Sequence, residues 1–468
     1  MLYNKICIFI IWGLVMRKYR IHPYIFIIIT FLCVILTGTI LLVLPFASST
    51  GKSIGFVNAL FQATSAVCVT GLSVLPGGVV NDMSMFGKIV MIVLMEIGGL
   101  SIITIAVFFF TIIGAKIGIS NRFLLKEALN QNSLSGIVPL VKRIVVISFS
   151  IQLACALINI YPFVEYIEAT RGYNSVWDAV GMSIFHSAAS FNNAGFDIFS
   201  TSNMTDFAST AHVISTSSMV IINLTTMFMI VSGGLGFVVL QEVIRQRRAS
   251  RWSLHTKITL TTTLFLILIG GLLIKLTYMD LGWMEAFFTA ITSRTAGFQT
   301  FDMSTLSQHP NTYIIILLLM IIGASPCSTG GGIKTTTFAV LLMAIYHFAI
   351  GKKTKAFGRS ISSSQIFKAF VLTNVAFMLI IIVSFIVCLT QSELGVGKIV
   401  FEVTSAFSTT GLSMGITTKL NAFNKVLLCF LMFFGRIGPL TIIGVLNKNW
   451  MNSSKEEIGY IEESVIIG

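Results

Sequence analysis

The stretch "TSAFSTTGLSMG", residues 404–415, interrupts a chain whose flanks are almost wholly apolar. Three other segments carry the same signature. Aligned on one glycine they read "LFQATSAVCVTGLS" ending at Ser73, "GMSIFHSAASFNNAGFD" ending at Asp197, "EAFFTAITSRTAGFQ" ending at Gln299 and "IVFEVTSAFSTTGLS" ending at Ser413. The shared glycines are Gly71, Gly195, Gly297 and Gly411, each preceded by Thr or Ala and followed by Leu or Phe. Before each lies an apolar, helix-compatible run of about eleven residues, which at about 1.5 Å per residue reaches only half the hydrocarbon thickness of a bilayer. Such a run cannot cross. A hairpin that enters, turns and leaves fits its length.

The rest of the chain supplies the surroundings. Its 468 residues are 55% hydrophobic and only 10% charged, against about 25% charged in soluble domains. Roughly eight spanning helices are expected, at 23–45, 86–114, 138–161, 212–241, 255–276, 311–350, 366–390 and 422–446, the sixth interrupted. The fold class is therefore an all-α membrane protein of four span/half-helix/span repeats around a pseudo-fourfold pore. Residues 1–21 form a cytoplasmic lead-in, 22–115, 116–250, 251–355 and 356–450 the four repeats, and 451–468 a cytoplasmic tail.

The net charge of +13 does not indicate nucleic acid, because the basic residues cluster in short loops between spans. Lys116, Arg122, Lys126, Lys142 and Arg143, then Arg245, Arg247, Arg248, Arg251 and Lys257, then Lys352, Lys353, Lys355, Arg359 and Lys368 occupy alternate loops. That alternation marks the cytoplasmic side and places both termini inside. Acidic residues such as Asp197, Asp280 and Asp302 lie on the other face with the hairpins. The seven cysteines are scattered, without metal-site or disulfide spacing.

Irregular backbone at membrane depth leaves carbonyls unpaired, costing several kcal/mol each unless protein or a water-filled cavity satisfies them. Four such stretches gathered about one axis would line a pore, where their carbonyls replace the water of a cation. Glycine lets the backbone turn its carbonyls inward without a Cβ clash. Each half-helix would also aim its partially negative C-terminal end at the axis. Small residues that merely permit close helix packing are the alternative for one copy; four equivalent copies favour the pore.

On "VCVTG", "FNNAG", "SRTAG" and "FSTTG" the chain resembles the Trk/Ktr/HKT superfamily of potassium transporters over residues 22–450, and its eight spans look most like the KtrB branch. The resemblance implies a selectivity filter of Cys68, Val69, Thr70 and Gly71; Asn192, Asn193, Ala194 and Gly195; Arg294, Thr295, Ala296 and Gly297; and Ser408, Thr409, Thr410 and Gly411. Glycine in all four hairpins goes with potassium selectivity in that family. It further implies K+ as the transported ion, Na+ as a possible activator, a homodimer, and a separate cytosolic nucleotide-binding gating ring (KtrA-like). No organic cofactor and no catalysis are expected of this chain. Arg294 is the oddity, expected to point from the ion toward an acidic neighbour or the outer water.

The interrupted sixth span holds "GASPCSTGGGIKTTT", residues 323–337. Pro326 removes a helical donor, Gly330, Gly331 and Gly332 weaken a helix, and the hydroxyls serve freed backbone groups. A nucleotide-binding P-loop is excluded because Ile333 separates glycine from lysine. A kinked helix and an intramembrane loop obstructing the pore, with Lys334 meeting ions, both fit the residues. The resemblance favours a gating loop comprising Gly323, Ala324, Ser325, Pro326, Ser328, Thr329, Gly330, Gly331, Gly332 and Lys334.

Glu96 and Arg436 lie mid-span, each 25 positions beyond its own repeat's glycine (96 and 71; 436 and 411). First and last repeats are neighbours in a ring, and a lone charge at this depth is expensive, so a Glu96/Arg436 contact is expected. By resemblance Arg436 also forms an electrostatic barrier beneath the filter. "GGLGF", 233–237, reads as packing rather than a dinucleotide site, and His186 as a structural histidine. A coupled secondary transporter of another solute is the competing reading. It calls for several intramembrane carboxylates, whereas Glu96 is the clearest one. An enzyme is disfavoured, since no catalytic constellation shares one face of the spans.

Overall fold

In a computed structural model the protein is described over residues 23–101, 104, 105, 107, 108, 111, 137–171, 175–199, 215–246 and 248–438. The expected lead-in 1–21, tail 451–468 and the loop carrying Lys116, Arg122 and Lys126 lie outside these residues.

A long helix, a half-length helix, an irregular stretch and a further helix follow one another four times. First come α1 (Pro23–Val43), α2 (Phe56–Val67) and α3 (Met85–Leu100). Then come α4 (Ile137–Arg171), α5 (Val176–Phe191) and α6 (Thr216–Gly234), with α7 (Phe237–Arg245) after a break. Next are α8 (Leu254–Thr277), α9 (Trp283–Thr292), α10 (Pro310–Ile321) and, beyond a loop, α11 (Thr335–Ala349). Last are α12 (Ser363–Thr390), α13 (Val396–Ser408) and α14 (Ala422–Ile437).

Among the described residues five helices are long and apolar enough to cross a membrane, namely α1, α4, α6, α8 and α12. Their outer faces carry large bare side chains, including Leu264, Leu268 and Leu276 on α8 and Phe377, Ile381 and Phe385 on α12. Water would not tolerate apolar surface on this scale, and lipid does.

Helix ends are set by local chemistry. Ser84, Ser215, Ser253, Ser362 and Asn421 cap their helices by accepting a backbone N–H. Two of these caps are reinforced by a carboxylate from an earlier helix. Glu165 accepts from Ser215 N (2.6 Å) and from the hydroxyls of Ser215 and Ser218. Glu242 accepts likewise from Ser253 N (2.8 Å) and the hydroxyls of Ser253 and Thr256. A negative charge against the positive end of a helix is favourable, so α4 is fastened to α6 and α7 to α8.

Each half-length helix packs against the long helix before it: α2 on α1, α5 on α4, α9 on α8 and α13 on α12. Each is also met by the helix that follows the irregular stretch in the unit before it. α3 packs on α5, α6 on α9, α10 on α13, and α14 returns to α2. The four units therefore close on themselves. The half-length helices, 10 to 16 residues long, bury their C-terminal turns in the centre of this arrangement.

Three departures from the sequence reading concern continuity. The fourth expected span, 212–241, is broken at Leu235 and Gly236, the latter at φ +92°. The second span ends α3 at Ser101, a non-glycine at φ +70°, and the eighth ends α14 at Gly438, φ +86°. Interruption is thus not confined to the sixth span, and α14 ends at Ile437 with Gly438 as its cap. The third span is longer than 138–161, because α4 runs through Pro162 to Arg171. A two-residue hairpin also joins α11 to α12. Its strands β1 (Lys355–Ala356) and β2 (Arg359–Ser360) are connected by Phe357 and Gly358, both at positive φ, the geometry of a tight right-twisted turn.

Candidate functional site

The four glycines of the repeated signature meet at the centre. Each adopts a positive φ, namely +95° at Gly71, +60° at Gly195, +86° at Gly297 and +90° at Gly411. A Cβ added to Gly71 would overlap the Ala194 carbonyl and lie 3.1 Å from the Cα of Gly195. One on Gly195 would overlap the Ala296 carbonyl and lie 2.9 Å from the Cα of Gly297. One on Gly297 would overlap the Thr410 carbonyl, 3.0 Å from the Cα of Gly411, and one on Gly411 the Thr70 carbonyl, 3.1 Å from the Cα of Gly71. The cycle is closed, and no side chain fits within it.

The residue two positions before each glycine is also left-handed: Val69, Asn193, Thr295 and Thr409, at φ between +51° and +78°. Among the described residues only seven non-glycines have positive φ, so four of the seven mark these turns. For β-branched Val69, Thr295 and Thr409 that conformation is strained, of the order of 1–3 kcal/mol each. Positive φ thus recurs at alternate residues in each stretch, at the glycine and two positions before it. The strain is held by hydrogen bonds back into the half-length helices. Thr70 N donates to Ser65 O (2.8 Å), Ala194 N to Ala189 O (2.7 Å) and Thr410 N to Ser405 O (2.9 Å); in the third stretch Ala296 N reaches Thr292 O (2.9 Å).

Two side chains add to this. Ser65 Oγ accepts from Gly71 N (3.1 Å) and Ser405 Oγ from Gly411 N (3.0 Å). The sequence reading passed over both, although the shared "TSA" at 64–66 and 404–406 is their signal. The second and third stretches have Ala189 and Ile291 at that register.

On one side of the glycines opens a cavity of about 260 Å³ that all four line, with Asp197 and Asp302 among its walls. Two carboxylates in its lining favour cations there. On the other side stands the loop between α10 and α11. A Cβ on Gly330 would strike Thr295 Oγ1, and one on Gly331 would strike Thr409 Oγ1, so the loop abuts two of the left-handed residues directly. Ser325 N and Thr329 N donate to the carbonyls of Gly234 (3.0 Å) and Gly233 (3.2 Å), and Phe237 N donates to Cys327 O (2.9 Å). Thus "GGLGF" is the broken helix end that receives the loop. Lys334 Nζ folds back onto the carbonyls of Gly330 (2.7 Å) and Gly331 (3.4 Å), and Thr335 Oγ1 donates to Ser325 Oγ (3.1 Å). The segment is a hydrogen-bonded loop, not a kinked helix.

Arg436 joins three elements. Nη1 donates to Thr329 O in the loop, and Nη2 donates to the carbonyls of Gly98 and Gly99 (3.2 Å) at the end of α3. The expected Glu96/Arg436 contact is not formed. Glu96 is buried against the side chains of Asn192 and Gln152. The two residues do come from adjoining units, but α3 ends in unpaired carbonyls that satisfy the guanidinium two and three residues past Glu96. Arg294 is only 7% exposed, and its Nε has no acceptor among the described residues. His186 is structural, its Nε2 bonded to Thr226 Oγ1 (2.8 Å). Cys68, Asn192 and Ser408 are buried beside the ring, Asn192 against Gly99 and Ser408 against Gly332.

A family profile described as "TrkH: Cation transport protein" matches residues 16–455. The chain belongs to this family. Among family relatives, it is 37% identical to Ktr system potassium uptake protein B of Bacillus subtilis, covering 97% of this chain and 98% of that protein. It is 35% identical to potassium/sodium uptake protein NtpJ of Enterococcus hirae, covering 96% and 98%, and 34% identical to Ktr system potassium uptake protein B of Vibrio alginolyticus, covering 94% of each. The fold is that of the TrkH family. The crystal structure of the potassium transporter TrkH from Vibrio parahaemolyticus superposes with a TM-score of 0.63 at 20% identity, over 90% of this chain and 85% of that one.

Proposed function

We propose that the chain is the membrane subunit of a potassium uptake system, conducting K+ down its electrochemical gradient through the ring at Gly71, Gly195, Gly297 and Gly411. The observation that carries this reading is the closed cycle in which each glycine meets the carbonyl preceding the next. Carbonyls of Thr70, Ala194, Ala296 and Thr410 are the groups that replace the hydration shell of the substrate ion. The printed names of the Bacillus, Enterococcus and Vibrio relatives supply potassium as the ion, and the Enterococcus name admits sodium as a second one.

In this reading the repeats 22–115, 116–250, 251–355 and 356–450 stand about one pseudo-fourfold axis. Eight spans cross the cell membrane, with both termini cytoplasmic. The acidic cavity is the outer vestibule, and the loop 323–334 is the gate beneath the filter, latched by Arg436, whose charge also repels a cation. The subunit works as a homodimer under a cytosolic nucleotide-binding partner and performs no catalysis.

The test is uptake into vesicles containing the purified chain, with and without a cytosolic partner. Rubidium and potassium are expected to enter at least about tenfold faster than sodium at equal concentration. Equal entry of all three would contradict the filter.

A further inference from the structure

Nine residues before each glycine, the inner face of the half-length helix carries Gln62, His186, Phe288 and Glu402; two residues after each glycine stand Ser73, Asp197, Gln299 and Ser413. In the first and last stretches these positions are joined. Ser73 Oγ donates to Gln62 Oε1 (3.3 Å), and Ser413 Oγ reaches both carboxylate oxygens of Glu402 (3.1 and 3.0 Å). In both, the same serine accepts the backbone N–H two residues on, from Leu75 (3.3 Å) and from Gly415 (3.0 Å).

Glu402 gathers more donors than its counterpart. Thr417 Oγ1 also donates to Oε1, and the Met414 N–H faces the same carboxyl. The side chain is 1% exposed, so these partners stand in for water entirely. Gln62 receives one hydroxyl, and its Nε2 meets only Met91 Sδ at 3.9 Å. Ser413, so held, presents its carbonyl to Gln299 Nε2 of the neighbouring stretch (3.2 Å). The bonds from Glu402 to Ser413 and from Ser413 to Gln299 bridge the chain leaving Gly411 to the chain leaving Gly297. Gln299, Ser413 and Thr417 all line the vestibule.

We propose that Glu402 is a positioning residue for ion discrimination, bracing the outer half of the filter through Ser413 and Gln299. This rests on the ring being the ion filter. A ring that prefers one ion size must resist adjusting to another. Side-chain bonds to the ring N–H groups come from Ser65 and Ser405 in two stretches; in the third Gly297 N reaches the Thr292 carbonyl instead (3.3 Å), and a tie to the fourth runs through Gln299 and Ser413. A carboxylate accepts from hydroxyls and amide together. An amide in its place turns an NH2 toward donors, and a buried donor facing donors is destabilising.

The experiment is thermal unfolding of the full chain in detergent, titrated with RbCl or NaCl at constant ionic strength, which reads ion binding through mass action without requiring an open gate. Wild type is expected to be stabilised at lower Rb+ than Na+ concentration. Glu402→Gln and Ser413→Ala are each expected to shrink the Rb+/Na+ affinity ratio by about tenfold, and together by no more than the larger single effect, since they interrupt one path. A ratio unchanged in both variants, whatever their melting temperatures, would assign Glu402 a structural role and overturn the proposal. Multiplicative losses in the double variant would equally overturn it. If Glu402→Gln does not fold, an unchanged ratio in Ser413→Ala alone is sufficient refutation. The wild-type arm reports on the ring itself: no preference there contradicts both readings, whereas a preference that survives in the variants contradicts only this one.

Discussion

Replacing Gly411 by alanine is expected to reduce rubidium uptake by about a hundredfold or more and to erase discrimination against sodium. The added methyl would overlap the Thr70 carbonyl, which belongs to the ring itself. Neither partner can yield cheaply, because Thr70 N is tied to Ser65 O at 2.8 Å and Gly411 N to Ser405 Oγ at 3.0 Å. The φ of +90° adds strain that alanine cannot relieve in place. Gly397→Ala is the control, since a Cβ there meets nothing within 4 Å and its φ is ordinary. Uptake and selectivity measured side by side in vesicles decide the matter. Near-normal flux through Gly411→Ala would mean that the carbonyls at the ring do not carry the ion.

Arg436→Gln is expected to act in the opposite direction, raising rubidium entry in the absence of any cytosolic partner by roughly ten- to a hundredfold. The argument is one of release. The guanidinium holds the Thr329 carbonyl of the loop against the Gly98 and Gly99 carbonyls of α3, and a hydrogen bond to a charged group contributes about 1.5–3 kcal/mol. Loss of that much favours the displaced loop by the stated factor. Arg436→Lys separates latch from charge, because lysine keeps the positive charge but not the forked geometry. Flux raised in both variants identifies the latch. Flux raised only in Arg436→Gln identifies electrostatic repulsion as the larger effect. Flux unchanged or lowered in both, with the protein folded, would remove this loop from the gating mechanism.

The ring was legible in the sequence because its requirement is local. One glycine after a half-length apolar helix could serve close packing alone, but four copies at one register point to a common centre. The loop at 323–334 was legible as a break for a similar reason, since proline and three glycines cannot sustain a helix. What remained hidden depends on which surfaces meet. Ser101 ends α3 at φ +70° without any helix-breaking side chain of its own, and the carbonyls of Gly98 and Gly99 just before it are taken by Arg436. Arithmetic along the repeats located Glu96 and Arg436 at one level and in adjoining units. It said nothing of backbone carbonyls, which carry no signature in sequence, and those carbonyls took the guanidinium. Glu402 was missed because one acid in "IVFEVTSAF" reads as a face of the helix until Ser413 and Thr417 are seen folded back over it.

The most direct measurement is an experimental structure of the chain in rubidium, with the ion located by its anomalous scattering. The account predicts a peak enclosed by the carbonyl oxygens of Thr70, Ala194, Ala296 and Thr410, similarly distant from all four. Rubidium bound elsewhere while that ring stays empty, or four glycines standing apart, would contradict it.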